Sequence, residues 1–518
     1  MIRGKVKHRP AAIVVLAAAM SVAGRASAEP PINDRAATYR YTTPYDTNYF
    51  RAVLEGVGVL GIGFMEYLVS TKQSRGVIEP AYDWSIFRDK LGGNAQSFDV
   101  NRFNTNFIGH PLGGSLYYLS ARANHLSVWE SFAWAFIGSA FWEYIGEITE
   151  KPSYNDMIVT PWAGFSNGEV MTQLGSFFAR GKPGIANTIL ATFFDAPRAA
   201  HDAVDGLTPE RAEHFDALGF PTDIWHRFEV SLGGGATSQQ ASEVGPRQTY
   251  ADERLRIDAE VINLPDYDGP GKHARSFNDG NLANLHFDMA FSSGHLVDAT
   301  FATRATLAGY YTRDARLDAK GRLHGDESMV GYFVGFEYGM HDFDRDRNGP
   351  LDQVSLVTIG GLATEYGYQS GPFRLRAQLR AGADFAGVHA YAIDDYIRKF
   401  KPESLPVVLR NEEYYFAAGP SFVSRVDLSL GGLDLGGELK VNEWLGVLGL
   451  DDDQTKLTNN VSRSDRRVRY GASVAYRFAS DHLRLAVDVA EMVRSGNVGT
   501  VTDRRTEDTV TASLGAVF

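Results

Sequence analysis

Apolar and polar residues alternate with a period of two from residue 225 to the end of the chain. In residues 373–385, one face of the predicted strand is apolar, whereas the other carries Arg374, Arg376, Arg380 and Asp384. Strands of a transmembrane barrel alternate in this way, because one face meets lipid and the other a polar interior. Twelve such segments, separated by clusters of Gly, Asp, Asn and Pro, predict an antiparallel β-barrel of about twelve strands.

The last strand, residues 509–518, supports a membrane barrel. One of its faces is wholly apolar and ends in an aromatic residue, Phe518, whereas the other holds Thr, Ser and Gly. This ending resembles the closing strand of a bacterial outer-membrane barrel. Phe518 resembles the terminal aromatic residue that serves as the assembly signal in that class of protein. We therefore expect a barrel over residues 222–518, with outer-membrane lipids and the barrel-assembly machinery as partners.

Residues 47–207 follow a helical pattern instead, and residues 208–221 form a polar linker to the barrel. The two longest apolar segments, residues 48–72 and 128–150, are interrupted by glutamates and are poor candidates for membrane spans. Ser127 and Glu130 form a capping box that predicts where the second of them begins. Shorter helices are predicted at 168–179, 177–194 and 196–205. The fold class is thus an α+β membrane protein, with an N-terminal helical domain and a C-terminal barrel.

The first 28 residues predict a signal peptide, followed by an extended segment at 29–46. Four basic residues precede a short apolar run, and Ala26-Ser27-Ala28 predicts cleavage before Glu29. Cleavage would remove five basic residues and no acids, which changes the formal charge from −12 to −17. Such an acidic chain is not expected to bind nucleic acid, and a chain with no Cys suits an extracytoplasmic compartment. The expected location is the bacterial outer membrane.

Two interpretations remain for the inward arginines of the predicted barrel. Arg374, Arg376 and Arg380 face inward Asp and Glu residues on other strands, so opposite charges could neutralise each other in a solvated lumen. The same row could instead form a pathway for anions.

The helical domain contains the other candidate chemistry. Glu143 and Glu147 are four residues apart, so they would lie on one face of a helix and repel unless a metal ion, a proton or a cation separated them. Nearby polar residues could complete a site: His110, Asn106, Ser153, Asn155, Asp156 and Glu169. We predict Glu143, Glu147, His110 and Asp156 as candidate catalytic residues, and His110, Glu143, Glu147 and Glu169 as ligands of a divalent metal. Alternatively, these groups cap helices and cross-link the domain.

The same stretch carries a resemblance to a known family. Its motifs are, in order, Asn104-x-Asn106-x-x-x-His110-Pro111, Tyr117-Tyr118, Ala121-Arg122, Trp142-Glu143-Tyr144-x-x-Glu147, Pro152-Ser153-x-Asn155-Asp156, Thr160-Pro161 and Gly168-Glu169. Over about residues 95–200, the chain resembles an uncharacterised bacterial family of predicted outer-membrane proteins that is defined only as a domain of unknown function. The resemblance implies a location and a shared helical module, but no established activity.

Three functions follow as expectations. The first is a channel or binding protein, in which the helical module lies at the periplasmic mouth or in the lumen and plugs, gates or binds at the barrel. The second is an enzyme that modifies envelope lipid or hydrolyses another envelope component with the carboxylates and His named above. The third is a structural role in the envelope.

Overall fold

The computed structural model describes residues 46–75, 84–93, 97–147, 151–240, 242, 245–265, 267–342, 351–402, 409, 412–448, 461–478 and 481–518. An N-terminal helical module is followed by an antiparallel β-barrel, as the sequence predicts. The predicted signal peptide, and the extended segment up to residue 45, lie outside the described residues.

The helical module comprises residues 49–205. Its α-helices are α1 (Tyr49–Arg75), α2 (Trp84–Leu91), α3 (His110–Ala123), α4 (Val128–Phe141), α5 (Tyr154–Ala179), α6 (Ile185–Phe194) and α7 (Ala196–Asp205). Two π-helical turns, Thr105–Gly109 and Trp142–Gly146, adjoin α3 and α4. The capping box that predicts the start of α4 is present, with reciprocal hydrogen bonds between Ser127 and Glu130.

Helix α5 begins at Tyr154, fourteen residues before the predicted start at residue 168. Asn155 and Asp156, which follow Pro152 closely, therefore lie in the first turn of the helix. A carboxylate oxygen of Glu143 accepts a 2.6 Å hydrogen bond from the backbone nitrogen of Ser153. Backbone N–H groups at a helix start need such partners, and this one comes from a distant residue that local sequence does not reveal.

Glycines allow α3 and α5 to approach closely. A Cβ added at Gly114 would lie 1.9 Å from the backbone oxygen of Thr160, and one added at Gly164 would lie 2.4 Å from the backbone of Gly114. Only residues without side chains fit at this crossing. The close contact keeps the N-terminal half of α3 beside the first turns of α5, where the candidate site lies.

The barrel strands are β1 (Trp225–Gln240), β2 (Arg247–Ile262), β3 (Gly271–Phe277), β4 (Leu282–Ser292), β5 (His295–Leu317), β6 (Leu323–Asp342), β7 (Leu351–Ser370), β8 (Phe373–His389), β9 (Tyr414–Leu430), β10 (Leu433–Gly446), β11 (Arg463–Phe478), β12 (Leu483–Val498) and β13 (Val501–Val517). A short helix, α8 (Ile393–Phe400), lies between β8 and β9.

The pairing of β5 with β6 closes the sheet into a ring. Strands β3 and β4 both pair with β5 and lie end to end along it, so they occupy one position in the ring. The prediction of a closed antiparallel barrel of twelve strands is therefore confirmed. The sequence pattern does not predict β3, a short strand in which charged and small residues predominate.

Ion pairs between strands that are not neighbours identify the lumenal face. Arg376 of β8 lies 3.0 Å from Glu260 of β2, and Arg467 of β11 lies 2.8 Å from Glu337 of β6. Such pairs must cross the interior of the ring. Because side chains alternate along a strand, residues next to these, such as Phe336, face outward.

The helical module packs on that outward face. Phe107 and Val159 share a buried cluster with Phe336, Phe385 and Phe416 of the wall. At the other end of α5, the ring of Phe177 lies 5.3 Å from that of Phe228 on β1. The expectation that the module occupies the lumen is therefore wrong for its described residues, because its large apolar side chains match the apolar outer wall rather than the charged interior.

A different segment fills one end of the lumen. We call the end that holds Trp225 and Phe518 the terminal end, and the opposite end, where β8 connects to β9, the loop end. Residues 390–393, which lead into α8, pack at the loop end against lumenal side chains of six strands: Val354, Leu356, Ala386, Val388, Tyr415, Ala417, Trp444, Val498 and Val501. The lumen is thus closed at the loop end by residues 390–393 of this connection.

The hairpin between β5 and β6 lies at the terminal end. Its turn, residues 318–322, is held by the Asp318 carboxylate, which accepts hydrogen bonds from the backbone of Lys320 and Arg322. Residues 314–327 form a polar stretch of the kind that is typical of a loop. They are instead mostly strand, and Arg313 and Glu327 are paired inside the barrel.

Candidate functional site

The candidate site consists of Asp99, His110 and Asp156. Each offers one carboxylate oxygen or imidazole nitrogen, and these atoms all lie within 4.8 Å of one another. The Nε2 atom of His110 lies 3.3 Å from Oδ1 of Asp156. We call these three residues the acid–His centre. Two carboxylates and an imidazole form a mixed oxygen and nitrogen donor set that suits a divalent metal.

Three elements bring these residues together. Asp99 lies in an extended segment that pairs with the start of α5 through a bridge between Ser97 and Ser153. His110 is the first residue of α3 and follows a π-helical turn, a feature that is frequent at functional sites. Asp156 lies in the first turn of α5.

Asn155 organises the two carboxylates. Its Nδ2 atom donates hydrogen bonds to Oδ1 of Asp99 at 3.1 Å and to Oδ1 of Asp156 at 2.7 Å. Its Oδ1 atom accepts hydrogen bonds from the hydroxyl of Ser153 at 2.7 Å and from the backbone nitrogen of Asp99 at 3.0 Å. All four contacts agree on one orientation of the amide, so Asn155 is fixed as a neutral donor between two acids.

Several polar atoms of the centre are buried and have no hydrogen-bond partner within the described part of the chain. They are Oδ2 of Asp156, Nε2 of His110 and Oδ1 of the neighbouring Asn106. Asp156 is only 1% exposed and Asn106 is fully buried. Burial also raises the pKa of the Asp99 carboxyl, an effect that nearby His110 opposes. Buried polar groups normally have partners, so these atoms leave hydrogen-bonding capacity unused beside the acid–His centre.

Two asparagines join the centre to the barrel wall. Nδ2 of Asn106 donates to Oδ1 of Asp99 at 2.7 Å and to the hydroxyl of Tyr414 on β9 at 2.9 Å. Oδ1 of Asn104 accepts from the side chains of Gln353 at 3.0 Å and Tyr338 at 3.3 Å, on β7 and β6. The Asn104-x-Asn106 motif therefore contacts three strands.

Glu143 and Glu147 are buried beside the centre but do not stack on one helix face. The α-helix gives way to the π-helical turn at Trp142, and Glu147 already lies beyond it. Their partners differ: Glu143 accepts from the Ser153 backbone, and Glu147 accepts from Nε1 of Trp142 at 3.0 Å. The amine of Lys90 donates to the backbone oxygens of both glutamates. A cation does lie between them, but it contacts the backbone.

Glu169 lies in a second buried network. Its carboxylate accepts hydrogen bonds from the hydroxyl of Tyr118 at 2.7 Å and from Gln173 at 2.6 Å, and Nε of Arg122 lies 3.2 Å away. Arg122 also lies 4.0 Å from Asp279, in the break between β3 and β4. Arg122 thus neutralises Glu169, which is not among the residues that surround His110.

The three predicted lumenal arginines differ in their surroundings. Arg376 pairs with Glu260 and Glu365, and Arg374 pairs with Asp268. Among the residues that the structure describes, Arg380 makes no ion pair. Neutralisation within the lumen thus holds for two of the three arginines.

A second group with metal-like spacing, Asp298, His341 and Glu507, lies in the lumen. It differs from the acid–His centre because arginines approach its carboxylates: Arg505 lies 2.6 Å from Glu507, and Arg254 lies 3.7 Å from Asp298. These cations compensate the acids, so the group belongs to the lumenal ion-pair network.

Sequence reasoning found His110, Asp156, Asn155, Asn106 and Ser153, which the structure brings together around one point. It missed Asp99, which has no motif of its own, and Tyr414, which is more than 300 residues away in the chain. The one signal for Asp99 was its place inside the region of the family resemblance. The catalytic role predicted for Glu143, Glu147, His110 and Asp156 stays a prediction.

Residues 95–196 match the model of a domain of unknown function, DUF3943. The predicted resemblance is thereby confirmed. This DUF3943 region begins just before the bridge at Ser97 and ends at the first residue of α7, so it includes the whole acid–His centre and the Arg122–Glu169 pair. No curated protein matches the chain.

The chain is also similar to solved barrels. One is the beta domain of a Bordetella autotransporter, with 11% identity over 56% of this chain and 99% of that chain and a TM-score of 0.21. Others are Omp33 of Acinetobacter baumannii, with 9% identity, 57% and 98% coverage and a TM-score of 0.21, and an anion-selective porin of Comamonas acidovorans, with 9% identity, 57% and 100% coverage and a TM-score of 0.21. Such low scores carry no functional argument.

Proposed function

We propose that this protein is an outer-membrane β-barrel protein whose DUF3943 region binds a divalent metal ion through Asp99, His110 and Asp156. The observation that carries the proposal is the set of donor atoms within 4.8 Å of one another, with the buried atoms Oδ2 of Asp156 and Nε2 of His110 lacking a hydrogen-bond partner among the described residues. Among the described residues, neither carboxylate forms an ion pair with Lys or Arg, and one imidazole stands beside the two acids, so a cation would neutralise their negative charge.

Binding is favoured over hydrolytic catalysis at this centre. Asp156 is nearly inaccessible, and the centre lies between α3, α5 and the barrel wall. A metal there would hold the helical module to the barrel, since Asn106 contacts both Asp99 and Tyr414. Metal binding would thus stabilise the module, as in proteins in which the binding free energy contributes to folding.

The test is metal binding by the full chain, refolded in detergent and freed of metal by chelation. The imidazole favours Zn²⁺ and the carboxylates favour Mn²⁺, so each is titrated separately by calorimetry, with bound metal counted by mass spectrometry. One equivalent is expected, and an Asp156→Asn, His110→Gln variant should lose it. Glu169→Gln is the matched control, because Glu169 is equally buried but is paired with Arg122.

Two results would contradict the proposal. One is wild-type protein that takes up neither metal. The other is binding that survives in the double variant. Loss of binding in the Glu169→Gln control as well would mean that any buried carboxylate change disrupts the module. An Asp99→Asn variant with native helical content would then be titrated, and metal binding that survives in it would contradict the proposal.

The lumen supports a second function, the gated binding of a polar solute. A cavity of about 990 Å³ extends from Pro372 and Phe518 at the terminal end to Asp352 and Arg494 below the loop end. Side chains around residues 390–393 close it there. In this proposal residues 390–393 form the gate, and the helical module does not.

Conductance in planar bilayers tests this gate. Ile393 is 2% exposed within the closing cluster, so Ile393→Asp would bury a charge there and loosen it. Wild type should conduct poorly, and Ile393→Asp should conduct more. Ile397→Asp is the control, because Ile397 lies on the same helix but is exposed. Equal conductance of wild type and Ile393→Asp, with a native barrel, would contradict the gate.

A further inference from the structure

The outer surface of the helical module is unusually apolar. Large apolar side chains are exposed on four of its helices: Val57, Ile62 and Met65 on α1, Leu112 and Leu116 on α3, Phe136, Ile137 and Phe141 on α4, and Ile185, Ile189 and Phe193 on α6. A helix on the surface of a soluble domain normally presents charged residues to water. These helices present apolar residues instead.

Charged residues are nearly absent from three of these helices, α3, α4 and α6, whereas α1 contains five. Apart from His110, α3 contains Arg122 alone, α4 contains Glu130 alone, and α6 contains neither acids nor bases. Arg122 is buried against Glu169, and Glu130 caps the start of α4. The described residues 49–69 of α1 are long and apolar enough to cross a bilayer, although their glutamates make them a poor span by sequence. The exposed faces of α3, α4 and α6 thus lack the charged residues of a solvated surface.

The position of the module on the barrel agrees with this surface. Helix α5 has 26 residues, so it is about 39 Å long, compared with about 30 Å for the hydrocarbon core of a bilayer. It runs along the outer wall from the cluster with Phe385 and Phe416, near the loop end, to Phe228, near the terminal end. The module thus covers the same height of the wall that a membrane would cover.

The wall that the module leaves bare has the same character. Outward residues of β10–β13 are exposed and apolar: Leu435, Leu439, Val474, Leu485, Val487, Val489, Val510 and Leu514. The bare strands and the outer surface of the helices therefore share the same apolar character. A patch of this size on a soluble surface would promote aggregation, whereas lipid would cover it without cost.

We propose that the helical module lies within the outer membrane beside the barrel, with α1, α3, α4 and α6 facing lipid acyl chains. The proposal rests on the outer-membrane location proposed above, and it replaces the periplasmic position expected from the sequence. It also accounts for the buried polar networks, because charged groups at membrane depth face the protein interior and pair there. The acid–His centre would then be shielded from lipid by α3 and α4.

Spin labels on the full chain in liposomes test this position, because a chain without Cys allows single labels. Leu116→Cys, Ile137→Cys and Ile189→Cys report on three helices, at positions that are 50%, 57% and 61% exposed. Val487→Cys on the bare wall is the lipid control, and Lys320→Cys in the turn at the terminal end is the water control. Collisions with oxygen and with chromium oxalate are measured by power-saturation EPR.

The three helix labels should behave as Val487→Cys does, with strong relaxation by oxygen and weak relaxation by chromium oxalate. Helix labels that resemble Lys320→Cys, while Val487→Cys remains in lipid, would overturn the position of the module and leave the membrane barrel intact. If Val487→Cys itself met chromium oxalate, the proposed location of the barrel would fail as well. Weak relaxation by both agents would show that protein covers the helices, and this too would overturn the proposal.

Discussion

Asn106, in the first π-helical turn, donates a 2.9 Å hydrogen bond to the hydroxyl of Tyr414 on β9. The Tyr414 hydroxyl in turn donates to the backbone oxygen of Asn101 at 2.8 Å. Because Asn106 also contacts Asp99, a ligand in the acid–His centre would be coupled to the barrel wall through a single side chain. The proposed metal centre and the attachment of the helical module therefore depend on one another.

Tyr414→Phe should weaken this attachment. The change removes one acceptor of Asn106 and the donor to Asn101 but keeps the ring, so we expect a loss of about 1–2 kcal/mol in the unfolding free energy of the helical module. Urea unfolding followed by helical circular dichroism measures it. Tyr415→Phe is the control, because the Tyr415 hydroxyl lacks a hydrogen-bond partner among the described residues. Equal losses in both variants would mean that the hydrogen bonds of Tyr414 contribute nothing specific.

Asn155→Leu should lower metal affinity about 10- to 100-fold, as the loss of groups that orient metal ligands typically does. The variant removes the donor that Asp99 and Asp156 share while leaving all three proposed ligands in place. Asn167→Leu, on the same helix, removes a buried amide that contacts Thr303 instead. Calorimetric titration should show weaker binding in the first variant alone. Unchanged affinity in Asn155→Leu would remove the organising role assigned to Asn155.

Arg122→Met should destabilise the module strongly, because it leaves Glu169 buried without its cation. Breaking a buried ion pair on one side costs about 3–5 kcal/mol, whereas replacing both partners by apolar residues is often tolerated. The double variant Arg122→Met, Glu169→Met should therefore unfold at a higher urea concentration than Arg122→Met alone. If the two changes were simply additive, the pair would not be coupled as the 3.2 Å contact indicates.

Gly114→Ala and Gly113→Ala form a matched pair in one helix. A Cβ at Gly114 would overlap the backbone oxygen of Thr160, whereas a Cβ at Gly113 meets nothing within 4 Å. We expect Gly114→Ala to cost about 1–3 kcal/mol by separating α3 from α5, and Gly113→Ala to stabilise by up to about 1 kcal/mol through helix propensity. Thermal unfolding in detergent distinguishes them. Similar midpoints for both variants would show that the helices cross farther apart.

Local sequence determined the barrel of this protein. Alternation with a period of two is a property of neighbouring residues, so it indicates twelve strands and their inward charges, including Arg376, without any tertiary information. The capping box at Ser127 is local in the same sense. The family resemblance was likewise recognisable from the sequence, because it depends on the spacing of residues such as Asn106, His110, Asp156 and Glu169 along the chain. The family model matches residues 95–196.

Only the tertiary structure decided where the helices lie and which of their polar residues meet. From its sequence pattern alone, an apolar helix face could pack in the lumen, against a bilayer or against the barrel wall. In the structure, Phe107 packs against the outer wall through contacts with strands that are distant in sequence. The bridge between Ser97 and Ser153 brings Asp99 close to His110, and Glu169 forms an ion pair with Arg122. These contacts join residues that are far apart in sequence. Their contribution to the free energy of folding depends on burial and charge compensation, which no local sequence pattern encodes.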